Sequence, residues 1–82
     1  MSERKRDILR RLVAALKQAD GEPMELAQIQ VRLEGQFVPR PTRGEIEEAL
    51  FYAQDASFVR GTTTDGDVQI WAITGKGKLS EL

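Results

Sequence analysis

Residues 39–46, PRPTRGEI, constrain the fold of this 82-residue chain more tightly than any other stretch. Pro39 and Pro41 fix φ on the approach and bar a helix from running through the segment. Thr42 and Glu45 form a T-x-x-E capping box, in which the hydroxyl satisfies one orphan backbone N–H and the carboxylate reaches back to another. Pro41 and Ile46 stand where a hydrophobic staple would place them. A helix therefore starts at Thr42, and its apolar periodicity carries it to near Ala56-Ser57. With Ile46 at the centre of the buried side, Ala49, Leu50 and Ala53 share its face. Gly44, Glu48, Phe51 and Asp55 point the opposite way, with Glu47 and Tyr52 on the flanks.

What this helix packs against is limited by size. A chain of this length with 40% hydrophobic residues supports one core, so residues 1–82 are read as a single domain. The absence of cysteine removes disulfides and thiolate zinc sites as sources of stability. No apolar run resembles a signal peptide or could cross a bilayer, which makes the cytoplasm the expected location, with no membrane contact. The net charge of −1 gives no global attraction to nucleic acid. Charge is segregated, however: residues 1–20 carry six Lys and Arg against three acids, and residues 21–57 carry three Arg against seven.

The remaining elements follow from periodicity. Ile8, Leu9, Leu12, Val13 and Leu16 predict a first helix from about Arg4 to Ala19, capped by Ser2 and stopped by Gly21. Arg6, Arg10 and Lys17 line one flank of its stripe, Arg4 and Arg11 the other, and Asp7 is spaced to pair with Arg11. A second helix is expected over Leu26–Glu34, with Gln28 as capping-box partner of Glu25, Val31 facing away from the stripe, and Met24 in a short strand before it. Phe37 and Val38 are expected to tuck under the core. Phe58–Thr63 and Val68–Ile73 read as a hairpin around Asp65-Gly66, a pair that favours a type I′ turn. In the second strand both alternating faces carry apolar groups. Residues 74–77 then close the hairpin, and Leu79 and Leu82 are expected to pack back as a tail.

Helix, helix, helix and hairpin is the order of a winged helix-turn-helix, an α+β fold of three helices followed by a two-stranded wing. Residues 45–60, EIEEALFYAQDASFVR, with residues 70–77, IWAITGKG, resemble small bacterial or phage winged-helix transcriptional regulators. The loop preceding them is similar to that of the DNA-binding domain of ferric-uptake-type regulators. The resemblance spans most of the chain but lies in core and turn positions. It implies that the third helix enters the major groove of duplex DNA and that the Thr64–Asp67 wing touches the adjacent backbone or minor groove. Arg40, Thr42 and Arg43 would then meet phosphate or a guanine edge, Glu47 could accept from cytosine N4, and Arg6 and Arg10 would add phosphate contacts from the first helix. Three features depart from this pattern: Glu47, Glu48 and Asp55 repel phosphate, the wing carries Asp65 and Asp67 but no cation, and the exposed aromatic Phe51 suits a hydrophobic partner more than a base edge.

Two function classes follow. The first is a DNA-binding module of a small regulator. The alternative is a protein-interaction or dimerisation winged helix whose contact surface is Glu48, Phe51, Tyr52 and Asp55 with Val31, since aromatics ringed by polar groups suit interface centres. Of the two aromatics, Tyr52 is expected to fill the seam against the first helix and leave Phe51 free. An enzyme is not expected. Histidine and cysteine are absent, and Ser2, Ser57 and Ser80 lack an activating partner. Glu47 and Glu48 project about 100° apart and form no dyad. Asp65-Gly66-Asp67 lacks the later ligands of a calcium loop, and Gly75 and Gly77 lack a phosphate-loop lysine, so neither metal nor cofactor is expected.

Overall fold

The computed structural model describes residues 2–81. Helix α1 spans Glu3–Gln18, strand β1 Met24–Glu25, helix α2 Leu26–Glu34 and helix α3 Arg43–Asp55. Strand β2 spans Val59–Thr63, β3 Gln69–Ile73 and helix α4 Gly75–Leu79. The architecture is α+β, with four helices and a three-stranded antiparallel sheet in the order β1-β3-β2. It thus contains one helix and one strand more than three helices and a two-stranded hairpin.

The helix starts are set as their sequences require. Ser2 Oγ accepts from Lys5 N at 3.2 Å, and Gln28 Oε1 accepts from Glu25 N at 2.8 Å. The chain leaves α1 through two left-handed residues, Asp20 (φ 49°) and Gly21 (φ 91°). At the end of α3, Ser57 adopts φ 65°, with Phe58 N donating to Ala53 O at 2.8 Å and Ser57 N to Gln54 O at 2.9 Å. These two bonds are a Schellman closure, which satisfies orphan carbonyls of the last turn.

One core joins all three long helices to the sheet. Ile8, Leu9, Leu12, Val13 and Leu16 from α1 meet Ile29 and Leu33 from α2, the Ile46, Ala49, Leu50 and Ala53 stripe of α3, and Met24, Val59, Trp71 and Ile73. Trp71 and Ile73 decide which face of β3 is inward, leaving Ile70 and Ala72 half-buried on the other. Register is fixed by Val59 opposite Ile73, Gly61 opposite Trp71 and Met24 opposite Trp71. Gly61 has no alternative: a Cβ there would stand 2.7 Å from the Trp71 ring.

Several expectations are corrected. The hairpin turn is not type I′, because its positive-φ residue is Asp67 (φ 60°) rather than Asp65 or Gly66, and Asp67 N closes onto Thr64 O at 3.0 Å. A loop whose last residue is left-handed satisfies strand twist as well as a primed turn does. Residues 75–79 form α4, nucleated by Thr74, whose Oγ1 accepts from Gly77 N at 3.0 Å and donates to Ser57 O at 2.6 Å. Lys17 Nζ then holds Ser80 O at 2.6 Å. Leu79 is exposed on this short helix instead of packing back, and Leu82 lies outside the described residues. Asp7 pairs with Arg10 at 3.6 Å, one residue before the expected Arg11. Val38 is not under the core but 99% exposed, since Phe37 alone takes the seat against it.

Candidate functional site

The start of α3 is held from three directions. Thr42 Oγ1 accepts from Glu45 N at 3.2 Å, and Glu45 Oε1 accepts from Thr42 N at 3.0 Å. From α1, Arg4 Nε donates to Glu45 Oε2 at 2.7 Å and Nη2 to Glu45 Oε1 at 3.2 Å. The same Nη2 donates to Pro39 O at 2.8 Å, and the guanidinium lies 5.8 Å from the Phe37 ring centroid. The Arg4 hydrogen bond, followed by that from the Thr42 backbone, lowers the Glu45 carboxyl to about 2. Arg4, a flank cation by sequence, is therefore a clamp on the loop before α3. Its partner lies too far along the chain for any local pattern to reveal the pairing.

The outer side of α3 forms one wall of a groove of about 400 Å³. Arg43, Glu47 and Phe51 come from α3, Glu25, Leu26 and Gln30 from the β1–α2 corner, and Val68, Gln69 and Trp71 from the hairpin. Phe51 is 59% exposed and stands edge-on to Trp71, with ring centroids 6.4 Å apart at 76°. This arrangement gives Phe51 an anchored base and a free rim. A shallower depression continues from Phe51 to Gln54, Asp55 and Gln69. Glu25, Leu26, Val68 and Trp71 were not singled out from sequence as site residues, because only the chain reversal between strands brings them beside α3.

The fold distributes the candidate DNA contacts unevenly. Arg43 and Glu47 share the groove, with Arg43 Nε on Glu47 Oε1 at 3.0 Å. Thr42 is committed to the capping box, and Arg40 sits 3.8 Å from Glu34 on the loop. Arg10 belongs to a separate depression with Arg11, Gln36 and Val38, and Arg6 is exposed on α1 without lining the groove. The candidate partner contacts also divide. Phe51 and Asp55 lie together, Glu48 is bridged to Lys5 at 2.9 Å, and Val31 lines a different depression with Pro23 and Met24. Tyr52 does not fill the seam against α1: it is 51% exposed, and Phe51 is the aromatic with a packing partner. The seam is closed instead by small and aliphatic side chains of α3, Ala49 and Ala53 among them.

Electrostatically the groove is mildly acidic. Glu25 and Glu47 face one cation, Arg43, while Asp55 lies beyond Phe51 and Asp67 precedes Val68 in the chain. Residues 61–73 contain no Lys or Arg. Among the described residues no group of three or more potential ligands could hold a metal ion, and no helix is long and apolar enough to cross a membrane. Comparison of the chain with protein-family models, curated proteins and solved structures finds no match.

Proposed function

We propose that the chain is a winged helix-turn-helix domain that recognises a protein through the face formed by α3 and the β2–β3 hairpin. The element order supports the frame: α1, α2 and α3 share one core, and the hairpin follows α3 directly. The observation that carries the protein reading is the composition of the groove. An exposed, edge-anchored Phe51 stands with Leu26 and Val68, bordered by two carboxylates and one already paired arginine. Duplex DNA presents about one negative charge per 1.7 Å of its axis, and counterion release needs cations that this face does not supply. An aromatic centre with a polar border is how protein contact patches concentrate binding energy.

A second reading, duplex DNA, is favoured by one specific observation. The side chains of Arg40 and Arg43, on the approach and first turn of α3, are 74% and 76% exposed. Surface ion pairs are weak enough to exchange for phosphate or a guanine edge. In that reading Thr42 and Glu47 add contacts at the same end, and Arg6 and Arg10 reach the backbone from α1.

Residue-resolved NMR with a mixed-sequence duplex at low and moderate salt separates the two. The protein reading expects no saturable shifts at Arg40, Thr42 and Arg43. Saturable shifts there that weaken steeply with salt would replace it with the DNA reading. On the protein side, peptides selected from a display library against the wild-type chain are expected to lose binding to Phe51→Asp.

A further inference from the structure

We infer that the occupant of the α3–hairpin groove is a second copy of this chain, inserting the Val38 tip of its α2–α3 loop; the inference rests on the protein reading above. Val38 is the most exposed large apolar side chain of the described residues. It is presented and not loose: Phe37 beside it packs on the core, and Arg4 holds the carbonyl of Pro39 at 2.8 Å. Its surroundings carry a small basic excess: Arg4, Arg10 and Arg11 line the same depression with Glu3 and Asp7, and Arg40, bridged to Glu34, lies two residues along the loop. The groove has the opposite balance, a small acidic excess around apolar side chains. It offers an apolar lining of Leu26, Phe51 and Val68 where the loop offers an aliphatic tip, and Glu25 and Glu47 against the single Arg43 where the loop carries its basic excess. Opposed potentials of this kind set orientation and partner choice.

The two surfaces share no residue, and the contact proposed is head-to-tail. One copy's loop enters the next copy's groove while its own groove stays open. Contacts of that class propagate until a ring closes, or build an open chain when it does not. The patch is small, and the resulting association is weak, on the order of micromolar Kd or above.

Sedimentation equilibrium of the full chain from micromolar to millimolar concentration tests this. The average mass is expected to climb past that of a dimer and to fall as salt screens the charges. Val38→Asp and Phe51→Asp should each stay monomeric. Mixed together they should form a one-to-one pair, because the first keeps an intact groove and the second an intact loop. Circular dichroism checks that both variants fold, and Glu47→Lys replaces Phe51→Asp if that variant does not. A wild-type chain that stays monomeric, an association indifferent to both substitutions, or a mixture that fails to pair overturns the inference. If peptide binding that depends on Phe51 survives such a result, only the second-copy assignment falls. If that binding is absent too, the protein reading falls with it.

Discussion

Arg4 and Glu45 meet through a two-pronged hydrogen bond of 2.7 and 3.2 Å, and the acceptor is the same carboxylate that closes the capping box of α3. One side chain therefore fixes both where α3 begins and how α1 lies against it. The loop between α2 and α3 is held by the same guanidinium, through Pro39 O.

Acid should undo this junction in a defined window. The Glu45 carboxyl is lowered from about 4.5 to about 2 by Arg4 and the Thr42 backbone, so the folded state prefers the ionised form. A depressed folded-state value contributes stability that is fully present above the unfolded-state value and is lost as pH falls from about 4.5 through about 2. Glu45→Gln keeps a capping amide but loses the ion pair. Its thermal midpoint should lie below wild type at neutral pH and converge with it near pH 2, measured by circular dichroism across that range. Parallel curves at all pH values would show that the pair does not stabilise the fold.

Gly61→Ala should lower stability by about 1–3 kcal/mol, the usual range for forcing extra volume into a packed core. The added Cβ meets the Trp71 ring at 2.7 Å from a neighbouring strand, and backbone pairing limits retreat. Denaturant unfolding followed by Trp71 emission gives both the loss of stability and any change in the ring's environment.

Ser57→Gly should stabilise the chain by roughly 0.5–1 kcal/mol. Ser57 occupies the left-handed position of the α3 closure at φ 65°, where a Cβ is penalised and glycine is not. Part of that gain is returned through the greater freedom of the unfolded chain. An unchanged or lower midpoint in urea would contradict it.

The two α3 aromatics should separate in a stability assay. Phe51→Ala loses the edge-on contact with Trp71, a pairing worth about 0.5–1.5 kcal/mol beyond area. Tyr52→Ala, at a half-exposed position with no aromatic partner among the described residues, should stay within about 0.5 kcal/mol of wild type. Equal losses would mean that Tyr52 packs after all.

What was legible in the sequence was local. The α3 start rests on Pro41, Thr42, Glu45 and Ile46, all within six residues, and its buried stripe follows from helical spacing alone. The same holds for the α1 stripe and the Gly21 stop. The misplaced residues are those decided by something distant or by competition for one seat. Val38 and Phe37 are both apolar, and only one fits against the core. Residues 75–79 become helical because Thr74 finds Ser57 O and Phe58 O across the sheet end. Of the groove, Arg43, Glu47 and Phe51 were legible from helix geometry, whereas Leu26 and Val68 needed the pairing of β1 with β3.

That pairing sets a timetable. Strand β1 is only two residues long, and its partners Ile70 and Trp71 lie in the opposite half of the chain. The hairpin closes over a short local loop, while β1 must wait for a long one, and long loops close at greater entropic cost. The groove has Glu25 and Leu26 on one side and Val68 and Trp71 on the other, so its two banks come together only with that late step. A chain that has not yet paired β1 with β3 presents only one bank of the groove, so the proposed contact would be available to the completed fold alone.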